Sequence, residues 1–139
     1  MAMREAEALA LLGESRVGRL ATVRPDGWPH IVPITYAVVD RMVVTMVDHK
    51  PKTTTRLQRL ANIEAEPRVT LLVDEWSEDW RRLRWARFDG TAEIHQTGDL
   101  WELARDALVA RYDQYRDHPP NGPAIVITIH GITGWASTG

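Results

Sequence analysis

Three β-favouring runs follow one another in the first third of the chain with only turn chemistry between them. No other feature constrains the fold as much. Val17 to Val23 favours extended backbone, Pro25-Asp26-Gly27 turns the chain, and His30 to Val39 resumes with β-branched residues. Asp40-Arg41 then leads into Met42 to Val47, so a three-stranded meander is expected. Later runs continue the pattern. Arg68 to Asp74 contains VTLLVD, a short apolar run expected to be buried on both faces. A strand through Asp89-Gly90 to His95 carries a glycine that predicts a bulge or a close backbone approach. Ala124 to Ile129 is a final strand, and Gly131-Ile132-Thr133-Gly134-Trp135 follows it.

Helical spacing appears in three places. Met3 to Leu12 places Ala6, Leu9 and Ala10 on one face and ends at Gly13, while Thr53 to Ala61 has Leu57, Leu60 and Ala61 in helical register. Gly98-Asp99 opens a helix to about Tyr115, with Leu100, Trp101, Ala104, Ala107, Leu108 and Tyr112 in one stripe. Arg116 to Pro123 holds three prolines and is a loop. Six strands around one core with helices outside predict a mainly β, α+β protein built as a small antiparallel barrel.

Composition narrows the function classes. The chain has 139 residues, 44% hydrophobic and 26% charged, which fits a single globular domain over residues 1–139. Its net charge of -2 opposes nucleic acid as a partner. The absence of cysteine excludes disulfides, thiolate metal sites and cysteine nucleophiles, and is compatible with a cytoplasmic location. Arg4, Glu5, Glu7 and Glu14 interrupt the apolar core a signal peptide needs, and no run approaches membrane-spanning length. The histidines at 30, 49, 95, 118 and 130 lack ligand-like spacing, so no metal site is expected. No G-x-S-x-G, Rossmann fingerprint or Walker loop occurs.

The two lysines of the chain, against fifteen arginines, both fall in Asp48-His49-Lys50-Pro51-Lys52-Thr53-Thr54. Ammonium groups, threonine hydroxyls and a helix start would together suit a phosphate, and a hydrated polar connection is the plain alternative. A second unusual segment interleaves Trp76, Trp80 and Trp85 with Arg81, Arg82, Arg84 and Arg87. It suits either an anionic ligand or a solvated strand face. Stacking of single-stranded bases is a further alternative that the acidic net charge opposes. His30 is expected to be a hydrogen-bonded structural residue. Tyr36 and His30 are the available proton donors, neither of them favoured.

The residues Gly18-Arg19-Leu20-Ala21-Thr22-Val23, Pro25-Asp26-Gly27 and Pro29-His30-Ile31-Val32-Pro33-Ile34 resemble the first hairpin of the pyridoxamine-phosphate-oxidase-like split β-barrel family, whose members include FMN-binding split barrels. Lys50-Pro51-Lys52, Asn62-Ile63 and Glu66-Pro67-Arg68-Val69 resemble its phosphate segment and following strand. Asp79-Trp80, Trp85, Asp89-Gly90-Thr91-Ala92 and Trp135 are similar to a subgroup thought to use the deazaflavin coenzyme F420. The resemblance spans roughly Leu9 to Trp135 and implies a six-stranded antiparallel split barrel with flanking helices.

It further implies a homodimer whose cofactor clefts lie between subunits. Lys50, Lys52, Thr53 and Thr54 would grip the phosphate, with His49 at the rim. Val32, Pro33, Ile34 and Thr35 would face the ring, with Trp85 and Trp135 as ring neighbours and Arg87 pairing with an acidic cofactor tail or an anionic substrate. The implied activity is hydride transfer between reduced coenzyme F420 and a conjugated small-molecule acceptor; FMN chemistry and non-catalytic cofactor binding are the alternatives. The chain stops four residues beyond Trp135, without the arginine-containing C-terminal stretch that holds the vitamer in the oxidases proper, which opposes vitamin B6 oxidation.

Overall fold

The structure, a computed structural model, describes residues 1–48 and 57–138. Helix α1 (Glu5–Glu14) leads into a hairpin of β1 (Gly18–Val23) and β2 (Pro29–Ile34). A second hairpin, β3 (Ala37–Val39) and β4 (Met42–Met46), precedes α2 (Gln58–Ala65). Strands β5 (Arg68–Glu75) and β6 (Arg84–His95) flank a short 3-10 turn at Trp80–Arg82. Helices α3 (Asp99–Arg111) and α4 (Gln114–Asp117) then connect to β7 (Ala124–Ala136). All seven strands form one sheet ordered β2-β1-β5-β6-β7-β4-β3, and each pairing is antiparallel.

The expected meander is not formed. The run His30 to Val39 breaks at Thr35-Tyr36, so β2 pairs only with β1 and β3 only with β4, at opposite ends of the sheet. Seven strands therefore replace the expected six, and the sheet curls until its two ends meet through a two-residue step. Both hairpin turns follow from local chemistry. Gly27 takes φ 91° and Asp40 φ 55°, and the Asp26 side chain accepts from Trp28 N–H at 3.0 Å.

Side-chain alternation divides the sheet into an inner and an outer face. Leu20, Leu71, Val73, Phe88, Ile125 and Ile127 point inward and join Ala8, Leu11 and Leu12 of α1 and Leu60 and Ile63 of α2. On α1 the buried face is thus Ala8, Leu11 and Leu12 rather than Ala6, Leu9 and Ala10; alanine and leucine occur all round this helix, so periodicity alone does not choose a face. The outer face is covered at one end by α3, whose Ala104 and Leu108 pack on Val44, Met46, Ala124 and Val126.

Consequently the strand segments buried on both faces are β4 and the first half of β7. Strand β5 alternates instead: Val69, Leu71 and Val73 are buried, while Thr70 and Leu72 are only half-buried. Fully burying one such aliphatic side chain contributes on the order of 2 kcal/mol.

The glycine in β6 has the expected role. Register shifts between Asp89 and Gly90, and a Cβ at Gly90 would lie 2.3 Å from the carbonyl oxygen of Thr128. Only a residue without a side chain allows β7 that close. Helix α2 is latched to β1 by a fully buried amide: Asn62 Nδ2 donates to Thr22 Oγ1 at 2.9 Å, and Gln58 Nε2 donates to Asn62 Oδ1 at 2.7 Å. Leu57 is extended, so α2 starts at Gln58 and not directly after Lys52. Among the described residues no helix is long and apolar enough to cross a membrane.

Candidate functional site

The step from β2 to β3 forms one wall of a cleft of about 340 Å³. Pro33, Ile34 and Thr35 line it from this step, Met46 and Asp48 from the end of β4, Arg59 from α2 and Tyr115 from α4. A two-residue crossover leaves backbone groups without strand partners, and side chains take their place. Thr45 Oγ1 donates to the Thr35 carbonyl at 2.7 Å, and Tyr36 N–H donates to the Tyr112 hydroxyl at 3.2 Å. The Tyr112 hydroxyl faces the Arg16 carbonyl at 2.8 Å and the Tyr36 carbonyl at 3.0 Å. Tyr112 and Tyr115 meet edge to face, with ring centroids 5.7 Å apart. The cleft wall is therefore rigid.

Deeper in the cleft, Tyr115 joins Thr35 to Asp48. Its hydroxyl lies 2.7 Å from Thr35 Oγ1 and donates to Asp48 Oδ1 at 2.7 Å. Burial pushes the Tyr115 phenol up to about 12, and the hydrogen bond it donates to Asp48 acts in the same direction. The phenol thus stays protonated at neutral pH and serves as a fixed donor.

Arg59 completes the cleft. Burial lowers its guanidinium pKa, with the charge of Asp48 opposing, yet arginine keeps its proton. Its Nε is buried with no hydrogen-bond partner among the described residues. A cationic donor left unsatisfied beside a cleft fits an anionic oxygen, such as that of a cofactor phosphate. Sequence inspection overlooked Arg59, since one arginine on a short helix looks like any solvated residue. The usable signal was its place in the first turn of the helix that follows the lysines.

The sequence-predicted residues fall into three groups. Pro33, Ile34 and Thr35 line the crossover cleft, and Val32 turns inward against the core. His49, Lys50, Lys52, Thr53 and Thr54 lie outside the described residues; Asp48, just before that segment, and Arg59, in the first turn of α2 after it, both line the crossover cleft. Trp85, Arg87 and Trp135 line a different cleft of about 400 Å³ on the outer face of β5, β6 and β7. Among the described residues, the crossover-cleft set and the tryptophan set line separate pockets.

Both proton-donor candidates have other surroundings. Tyr36 is fully buried and donates to the Leu12 carbonyl at 2.6 Å, which removes it from any substrate. His30 does not make the expected bond: its Nδ1 is buried without a partner among the described residues.

In the second cleft Trp85 sits directly across from Trp135, and Arg87 lies between Leu72 and Thr133 on its neighbouring strands. The Arg87 guanidinium lies 5.5 Å from the Trp85 ring centroid, within cation–π range.

A curled antiparallel sheet whose two end strands are joined by a short chain crossover, with a cation-bearing cleft at that crossover, is the architecture of a split-barrel protein. Residues 5–136 match the family described as pyridoxamine 5'-phosphate oxidase, and the chain belongs to that family. No curated protein matches.

Solved structures agree with the fold. An FAD-binding protein from Mesorhizobium loti shares 25% identity with a TM-score of 0.76, covering 96% of this chain and 95% of that one. A conserved hypothetical protein from Mycobacterium tuberculosis shares 26% identity with a TM-score of 0.78, covering 96% and 85%. The heme storage protein HutZ from Vibrio cholerae has the same fold at 18% identity, with a TM-score of 0.72 and 94% coverage of both chains.

Proposed function

We propose that this protein is an oxidoreductase that uses the deazaflavin coenzyme F420 to reduce a conjugated small-molecule acceptor. The observation that carries the proposal is the crossover cleft, where the orphaned Arg59 Nε stands beside a rigid wall of Pro33, Ile34 and Thr35. The similarity of Asp79-Trp80, Trp85, Asp89-Gly90-Thr91-Ala92 and Trp135 to the deazaflavin-using subgroup selects the cofactor.

In this assignment Lys50, Lys52, Thr53 and Thr54 grip the phosphate together with Arg59, and His49 stands at the rim. Pro33, Ile34 and Thr35 hold the ring, while Val32 packs behind them against the core. When bound, a deazaflavin supplies hydride transfer, and the protein contributes binding, orientation and electrostatics. Tyr115 fixes the Thr35 side chain and Thr45 its carbonyl, so the wall does not reorganise as charge shifts.

The site is completed in a homodimer, where the tryptophan face of one protomer closes over the crossover cleft of its partner. Exposed Val23, Ile31 and Trp135 on the helix-free part of the outer face support such an association. Light scattering that returned only monomers would remove this part of the proposal.

The FAD-binding relative at 25% identity favours a second possibility, flavin bound in the same cleft. Titrating the purified apo protein with coenzyme F420 and with FMN, read by tryptophan fluorescence, separates the two. Saturation by the deazaflavin at lower concentration is expected. Preference for FMN moves the assignment to a flavin enzyme, and binding of neither rejects the cleft as a cofactor site.

A further inference from the structure

The arginines that follow Trp76 are not equivalent. Arg81 bonds Asp79 at 2.9 Å, Arg82 reaches Glu75 at 3.3 Å, and Arg84 bonds Glu75 at 2.8 Å and Glu14 at 3.0 Å. The remaining acid lining the cleft, Asp74, is held by Arg19 at 2.7 Å. Asp89, two residues along the same strand face from Arg87, accepts from Thr70 at 2.8 Å. Arg87 has no carboxylate partner among the described residues; its recorded contact is the Trp85 ring. The acids of this cleft are matched and one cation is left over.

The surroundings of that cation are flat and apolar. Trp85 and Trp135 face one another across adjacent strands, with Trp76, Leu72 and Leu83 at the margins. A volume of about 400 Å³ lies in the range of small-molecule sites. Indole faces accept planar rings, and an exposed guanidinium accepts a carboxylate through paired N–H donors.

We infer that this cleft is the acceptor subsite and selects planar, conjugated carboxylates, with the ring system against Trp85 and Trp135 and the carboxylate on Arg87. The word acceptor rests on the oxidoreductase assignment above; the binding preference does not. The same guanidinium could instead meet the glutamate tail of the cofactor, and the experiment separates the two sources.

Isothermal titration of the cofactor-free protein with 2-naphthoate and with its neutral analogue 2-naphthamide tests the preference directly. Naphthoate should bind about tenfold more tightly than the amide. Arg87→Gln should erase that difference, and Arg81→Gln, which alters a residue outside the cleft, should preserve it. Equal affinity for acid and amide, binding of neither, or a preference that survives Arg87→Gln overturns the inference. Titrating Arg87→Gln with coenzyme F420 bearing or lacking its glutamate tail supplies the remaining arm. If the substitution weakens only the tailed cofactor and leaves naphthoate binding intact, Arg87 belongs to the tail and the inference fails. Cofactor affinity is read separately, so failure of the deazaflavin assignment stays distinguishable from failure of the carboxylate preference.

Discussion

Among the described residues the Arg59 Nε of the crossover cleft has no hydrogen-bond partner and Arg87 of the tryptophan cleft has no carboxylate partner, but the two stand in different surroundings. Arg59 is half-buried and its Nε is shut away from solvent, so its missing bond carries a desolvation cost that a bound anion relieves. Arg87 is exposed and keeps its water, so its free charge costs little. The first arrangement favours affinity for one obligatory group, and the second adds selectivity among ligands that come and go. An excess of arginine says little until each one's partners are known.

The comparison can be broken most forcefully at the bulge, because the register beyond it is what sets Trp85 opposite Trp135. Gly90→Val should destabilise the protein by about 3 kcal/mol in denaturant unfolding, since its first side-chain carbon would meet the Thr128 backbone. A loss under about 1 kcal/mol would show that the strands tolerate another register.

Next in size are the cations of the crossover cleft. Arg59→Ala and Lys52→Ala should each weaken binding of a phosphate-bearing cofactor by about 1.5 to 3 kcal/mol, the scale of a charge-assisted hydrogen bond, with the fold intact. Lys50→Ala should cost the same or less. Unchanged affinity in the Arg59 variant would erase the contrast between the two clefts.

A smaller effect is expected at Tyr115. Tyr115→Phe removes the link between Thr35 and Asp48 and should cost about 1 kcal/mol of stability. Circular dichroism melts would show it, and no change would mean that Thr35 is held by Thr45 alone.

The last effect is confined to the alkaline limb. Tyr36 and Tyr115 both titrate near 12 in the folded protein, against about 10 in an unfolded chain. Between pH 10 and 12 the unfolded chain releases these protons while the folded chain keeps them, so stability is full below pH 10 and falls as pH rises to 12. Tyr115→Phe should flatten part of that decline, and an identical pH profile in the variant would contradict the burial of its phenol.

Much of this architecture was legible in the residues. The first hairpin was readable because Pro25-Asp26-Gly27 permits little else, and Gly90 announced its bulge because a glycine inside a strand rarely has another reason. The break at Thr35-Tyr36 was hidden, since β-branched residues continue through it and the turn uses no glycine. Pro33 was the overlooked hint, because proline within a sheet is confined to edge strands. The pairing of Trp85 with Trp135 was illegible, since it depends on a register fixed across a bulge between segments fifty residues apart. Arg81, Arg82 and Arg84 looked available as charges until the fold brought Asp79, Glu75 and Glu14 to them.

Strand β2 ends the sheet, and an open strand edge invites other chains to extend it into an aggregate. Pro29 and Pro33 occupy alternate positions of that strand, and proline pairs with β1 only where its missing N–H is not required. Residues 29, 31 and 33 therefore turn the same way, towards the open side, and Ile31 supplies the one amide donor among them. The exposed isoleucine on the outermost strand thus sits on an edge that has little left to offer a passing backbone.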